Sequence, residues 1–304
     1  MNYLVSFADS RMKKSFKRMF DQANEFNFFD KIFLLNENDL SENFKTKFKN
    51  ELILGSKGYG YWCWKPEVIL NILQKLNYND CLMYIDAGCH LNKYGKRRLL
   101  EYFEILKQQD KGIIAFQADI PNKNNSTLNH DGRKLRNLKN YKWIKGDVLD
   151  FFDVRNNKDV TNSQEIAGGV LLVKKCDQSV MIINKWREII FEHFNFITDQ
   201  PSISPNLPGF IENRHDQGIW TLLCIKNKIK TISAYEFWYP KKNSNKLEPD
   251  WDALYNFPIH AKRDKNLGLI NNLLRKLKRK KYQFLNILFK IGLIKKPFKR
   301  DFYI

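Results

Sequence analysis

A chain of 304 residues with 52 Lys and Arg against 33 Asp and Glu carries a formal charge of +19, and 43% of it is apolar and 14% aromatic. That composition fills a core, which excludes disordered, collagen-like, disulfide-scaffold and acidic-tail classes, and the length suits one large domain or two small ones. The charge invites an anionic partner: nucleic acid, an anionic membrane surface or a phosphorylated small molecule.

The opening residues Met1 to Asp9 show no basic segment followed by an apolar one, so the reading is a cytoplasmic protein without a secretory leader. No apolar run approaches the ~20 residues of a spanning helix. Five scattered cysteines (Cys63, Cys81, Cys89, Cys176, Cys224) lack CxxC spacing and read as reduced thiols.

In chain order, Tyr3 to Ala8 reads as a buried strand, followed by a turn at Asp9 and Ser10 and a helix from Arg11. Lys31 to Leu35 is a second strand. Glycines gather at Gly55, Gly58 and Gly60, before Tyr61-Trp62-Cys63-Trp64-Lys65-Pro66. Pro66 suits the first residue of a helix carrying Val68, Ile69, Ile72, Leu73 and Leu76 at helical spacing. Cys81 to Ile85 is a continuous apolar strand running into Asp86-Ala87-Gly88, and Ile113 to Phe116 is another. Pro121 to Asn162 is polar with weak periodicity and reads as loops and short elements over the sheet, a candidate lid. Ala167-Gly168-Gly169 introduces a strand over Val170 to Val173, and Asp177 opens an amphipathic helix. Arg214-His215-Asp216-Gln217 leads into a helix over Gly218 to Ile225, and Ile229 to Ser233 is the last strand. Alternating strands and helices predict an α/β layered sheet.

The final stretch differs. From Lys262 to Ile304 there are 14 Lys or Arg against two Asp, a net of +12, leaving +7 for residues 1–261. Ile270, Leu273, Leu274 and Leu277 recur at helical spacing among Arg275, Lys276 and Lys278 to Lys281. This predicts a basic interfacial helix, each cation worth about 1 kcal/mol at an anionic lipid surface. The alternative is an ordinary surface helix docked on the core.

Three places could carry chemistry. Asp86 follows a buried strand, where open α/β sheets bind ligands, and Gly88 lets a ligand approach. Gly168 and Gly169 leave backbone room before the next strand. Asp216-Gln217 stands at a helix start, where Asp216 could equally be a cap. Asp119, after the Ile113 strand, and Glu165, before the glycines, are lesser candidates, more often solvated charges.

Taken in order, Gly60 to Pro66, Tyr84 to Cys89, Arg214 to Gln217 and Asn256-Phe257-Pro258-Ile259 resemble GT-A glycosyltransferases, those of bacterial capsule and lipopolysaccharide clusters in particular. The resemblance implies a GT-A (Rossmann-like) mixed sheet flanked by helices, a catalytic domain over 1–261 and a membrane-associating tail over 262–304. It implies a nucleotide-sugar donor, UDP-linked, and a lipid-linked or other cell-surface glycan acceptor, with the protein peripheral at the inner face of the cytoplasmic membrane. Asp216 would contact donor-sugar hydroxyls and Gln217 would lie near the anomeric carbon, with His215 beside them; either stereochemistry is open.

Donor-binding residues implied are Phe7, Asp9, Arg11, Trp64, Lys65, Asp86, Gly168, Gly169, His215, Lys262 and Arg263. Trp62 and Trp64 would form an aromatic wall, one of them going to the core, with Lys65 turned to phosphate. The family's Asp-x-Asp pair binds Mn²⁺ or Mg²⁺, which offsets charge on the departing nucleotide. Here Gly88 stands where the second carboxylate is expected, so Asp86 would need His260 as a fellow ligand, or Lys262 and Arg263 as substitutes for the metal. Two rivals stand beside this reading: a basic nucleic-acid-binding protein, for which no known motif is present, and an inactive GT-A-like scaffold.

Overall fold

In the computed structural model the described residues are 1–121, 126–243 and 248–262, together with Leu293. The chain divides into two units, Met1–Arg263 and Asp264–Ile304. Apart from Lys262 and Leu293, the expected amphipathic tail, Arg263 included, lies outside the described residues.

The first unit is built on a mixed six-stranded sheet. Its strands are β1 (Asn2–Phe7), β2 (Lys31–Leu35), β3 (Cys81–Ile85), β5 (Ile113–Gln117), β6 (Ile166–Lys174) and β7 (Lys230–Ser233), arranged β2-β1-β3-β6-β5-β7. β4 (His90–Leu91) and β8 (Ile259–His260) pair in a separate two-stranded ladder with His90 opposite His260. β1, β2 and β3 run parallel, as do β5 and β7, whereas β6 is antiparallel to both neighbours, β3 and β5. The start of β6 therefore reaches the edge where β1, β3 and β5 end.

Period-two alternation sends each strand's side chains into two cores. Val5, Phe7, Leu82, Tyr84, Leu171 and Val173 face one, packed against α4 (Trp64–Lys75), α8 (Asp177–Glu192) and α9 (Asp216–Lys226). Leu4, Met83, Ile85, Val170 and Leu172 face the other, against α1 (Lys13–Asn24) and α5 (Lys96–Lys107). A strand covered on both sides must be apolar at every position, which is why β3 reads as an unbroken hydrophobic run. Helix α5 carries its own signal in the sequence: Leu99, Tyr102, Phe103 and Leu106 repeat at helical spacing and are buried.

The polar stretch after Pro121 contains α6 (Gly146–Phe151) and α7 (Lys158–Asn162) over the sheet, as short elements. It is pinned by the buried carboxylate of Glu236. That group takes two 2.8 Å bonds from the Arg98 guanidinium, one of 2.5 Å from Ser126 Oγ, one from the Thr127 amide and one from the Tyr102 hydroxyl.

Two further α-helical elements are α2 (Glu42–Lys47) and α3 (Gly58–Tyr61). The second is a left-handed turn: Gly58, Tyr59, Gly60, Tyr61 and Trp62 have φ of 57°, 49°, 84°, 56° and 62°. Each residue with a Cβ costs about 1–2 kcal/mol in that region. The offset is local bonding: the Tyr61 and Trp62 amides donate to Lys57 and Gly58 carbonyls at 2.7 and 3.1 Å, and Trp64 Nε1 reaches Gly58 O at 3.0 Å. The turn delivers Trp64 and Lys65 into the start of α4.

Candidate active site

The turn after β3, the start of β6 and the first turns of α4 and α9 converge on one ammonium group. Lys65, the second residue of α4, is only 3% exposed, and its Nζ lies 2.9 Å from Asp216 Oδ2 and 3.6 Å from Asp86 Oδ1. The ammonium also lies 5.5 Å from the centre of the buried Tyr84 ring. The Tyr84 hydroxyl donates to Asp86 Oδ1 at 2.7 Å. Asp86 is the open member of the group, its side chain 38% exposed.

The electrostatics follow from burial. Burial pushes the Asp216 carboxyl up to about 6, against the pull of Lys65, while the charge of Asp86 adds to the rise. Burial alone would lower the Lys65 pKa, but the charges of Asp216 and Asp86 outweigh it and the shift is upward. At neutral pH the centre is an ammonium between two carboxylates, in a setting where water screens poorly.

The glycines form the floor. The Asp86 amide donates to Gly169 O at 2.8 Å, and a Cβ on Gly169 would come within 2.6 Å of Asp86 Oδ2. Gly168 donates its amide to Gln217 Oε1 at 3.4 Å, and a Cβ there would meet Asp216 Oδ2 at 3.4 Å. From behind, the Arg18 guanidinium holds the carbonyls of Ala87 and Cys89 at 2.8 and 2.7 Å, fixing the turn that aims Asp86. His215 occupies a rare backbone region at φ 57°, ψ −129°. Its Nδ1 lies 2.7 Å from Ile197 O, and its ring lies against Tyr61 and Trp62 at 5.4 and 5.3 Å. Burial lowers its pKa to about 4, so the imidazole is neutral.

The structure thus brings together Asp86, Gly168, Gly169, Asp216, Gln217 and Lys65, with His215 adjoining. It places other expected residues elsewhere. Phe7 is buried and packs tilted against Trp64 with ring centres 4.2 Å apart, so both rings belong to the core, and the half-buried aromatics beside them are Tyr61 and Trp62. Asp9 pairs with Arg11 at 2.6 Å beside the end of β1. Lys65 faces carboxylates, not open space for a phosphate. Lys262 lies 5.4 Å from the Trp251 ring centre. Glu165, expected as a solvated charge, is buried beside the start of β6.

The residues present do not fit the metal set implied by the resemblance. His260 is buried in β8, its Nε2 2.9 Å from Leu254 O and its ring against Trp251 at 5.3 Å. Among the described residues no three His, Cys, Asp or Glu side chains gather as a metal site. The cation beside Asp86 is instead the Lys65 ammonium.

No family model matches the chain, and neither does any curated protein. Among solved structures, mouse xyloside xylosyltransferase 1 is similar at 9% identity and a TM-score of 0.44, over 86% of this chain and 97% of that one. A glycosyltransferase involved in the glycosylation of the major capsid of PBCV-1 is similar at 8% and 0.44, over 91% and 98%. The galactosyltransferase LgtC is similar at 11% and 0.39, over 86% of each chain.

Proposed function

We propose that this chain is a glycosyltransferase that moves a sugar from a nucleotide-sugar donor to a hydroxyl acceptor. The observation that carries the reading is the carboxylate pair Asp86 and Asp216, clamped on buried Lys65 at the ends of the strands and floored by Gly168 and Gly169. Fixed carboxylates over bare backbone suit a polyhydroxylated ring, because carboxylates accept from hydroxyls and the missing Cβ atoms leave room for it. The sequence resemblance supplies the rest of the reading: a UDP-linked donor, a cell-surface glycan acceptor and a membrane-associated tail.

In the mechanism, Asp216 and Asp86 orient the donor sugar through its hydroxyls, and Gln217 lies next to the anomeric carbon. Lys65 holds Asp216 ionised and immobile, so the orientation is set before the substrate arrives. Tied down in this way, Asp216 suits a hydroxyl ligand better than a base that must take up the acceptor proton, which favours retention at the anomeric carbon.

The test is a panel of nucleotide sugars assayed for nucleotide release, with and without EDTA, on wild type and Asp86→Ala. Release by wild type and its loss in a folded Asp86→Ala protein are expected. Silence across the whole panel would support the inactive scaffold instead, and undiminished release by the variant would remove Asp86 from the site.

A further inference from the structure

His215 is 8% exposed and stands next to Asp216 in the chain, yet it has no part in the Asp86–Lys65–Asp216 group. Its Nδ1 lies 2.7 Å from the Ile197 carbonyl, which can only accept, so Nδ1 carries the ring proton and Nε2 a lone pair. Nε2 makes no hydrogen bond among the described residues. Facing it at 3.9 Å is Asp199 Oδ1. Two acceptors thus oppose each other across a gap, and only a ligand with O–H or N–H groups satisfies both.

Both sides of the gap are held. Asp199 keeps its two oxygens 2.8 Å from the Lys57 ammonium. The Asn213 amide donates to Phe196 O and Thr198 O at 2.9 and 3.0 Å, fixing the loop that carries Ile197 and Asp199. The His215 ring lies against the half-buried rings of Tyr61 and Trp62, and Trp62 covers Gly58, where a Cβ would come within 2.4 Å of its ring. All three of these residues hold positive φ, at 57°, 56° and 62°. Non-glycine residues so placed cost of order 1–3 kcal/mol each and cluster at ligand sites.

We infer that His215 Nε2 and Asp199, bordered by Tyr61 and Trp62, form the acceptor subsite and take a sugar that donates one hydroxyl to each. This deepens the transferase reading and rests on it for the ligand's role as acceptor; the unpaired Nε2 does not depend on it. Transfer brings two polyhydroxylated molecules to one carbon. Asp86, Asp216 and the glycine floor take the donor sugar. The gap opens one residue along from Asp216, on loops 57–62 and 197–199 that add nothing to that floor. Hydrogen-bond acceptors beside aromatic rings suit a sugar, which pairs hydroxyls with an apolar C–H face. His215 orients its ligand and is not the base: burial lowers its pKa to about 4, with the Lys57 charge adding to the fall, so at neutral pH it takes up no proton.

The experiment uses the full chain and the nucleotide sugar giving most release. The acceptor probes are the methyl α- and β-glucopyranosides and galactopyranosides, at up to about 100 mM, enough to fill a site with a Kd of about 10 mM. It compares wild type, His215→Phe, which keeps a ring but no lone pair, and Asp199→Asn, whose amide can bond Nε2 and close the gap. Each variant is expected to raise the probe KM about fivefold to tenfold, the worth of one hydrogen bond, with the donor KM moving less than about twofold. A donor KM that rises as far as the probe KM gives the gap to the donor sugar and overturns the proposal, as does an unchanged probe KM in both variants. If His215→Phe does not fold, Asp199→Asn decides alone. The probes should also shift the ¹⁵N signal of His215 Nε2 in wild type and not in Asp199→Asn. No shift in wild type overturns the proposal, whether or not nucleotide is released. A shift without any release keeps the sugar site and sinks the transferase reading.

Discussion

Lys65 carries more of this site than its place in the sequence suggests. A lysine between a tryptophan and a proline gives no sign of burial, because its stem suits an apolar neighbourhood and its head usually reaches water. Here the head is enclosed and two carboxylates satisfy it, so removing it leaves the buried Asp216 without its counter-ion. Lys65→Met is expected to cost at least about 100-fold in turnover. It should also shift the pH profile in a defined direction. Asp216 works ionised, so activity should fall below pH 6 in wild type. Without the ammonium the main pull against burial and Asp86 is gone, and this acid limb moves to higher pH. A limb that stays in place or moves down would separate Asp216 from the rate. Asp86 and Asp216-Gln217 were legible because polar residues follow apolar runs at element ends. Glu165 was not, since a glutamate one residue before a strand looks the same whether it is wetted or enclosed.

Among elements, β6 does most to shape the site. Because it runs against its neighbours, it offers its opening residues to the edge where the others close, and those residues are Gly168 and Gly169. The two glycines are not equivalent. A methyl on Gly169 would collide with Asp86 Oδ2 at 2.6 Å, while one on Gly168 would find contacts of 3.4 Å and beyond. Gly169→Ala is expected to reduce nucleotide release by about 10-fold or more through a displaced Asp86, and Gly168→Ala to cost less. Equal losses in parallel assays would argue against the floor as described. The strand itself was readable from its continuous apolar run. Its direction was not, since period and composition are the same whichever way a buried strand points. The two-residue ladder β4–β8 was invisible for a related reason: two residues carry no period. Nor did the glycines at 58 and 60 reveal that Tyr59, Tyr61 and Trp62 share their left-handed backbone.

For the molecule as a whole, Glu236 joins α5, the segment around Ser126 and the stretch after β7. Removing its carboxylate leaves the largely buried Arg98 guanidinium with Glu101 as its remaining carboxylate partner and the Ser126 and Tyr102 hydroxyls without their acceptor, so Glu236→Ala should lose about 3 kcal/mol of stability by urea unfolding. A loss below about 1 kcal/mol would mean that water takes over the pairing. The opening charge also divides at this scale: +12 lies from residue 262 on, in a stretch that the sequence alone reads as a lipid-surface anchor. Ending the chain at residue 263 is expected to abolish sedimentation with phosphatidylglycerol vesicles while nucleotide release continues. Vesicle binding that survives the deletion would move the anchor into the rest of the chain.

The strand order has a consequence for how the protein is made. β3 and β5 emerge from the ribosome well before β6, which must later slot between them. Until then the growing chain holds a partial sheet with open edges, the kind of template on which chains pair wrongly. Closing it needs contacts between residues far apart in sequence, which are slow to form. The glycine floor arrives with β6, and Asp216 follows it only after α8. The reactive centre is thus among the late products of folding, and its assembly is a sign that the sheet beneath it has closed.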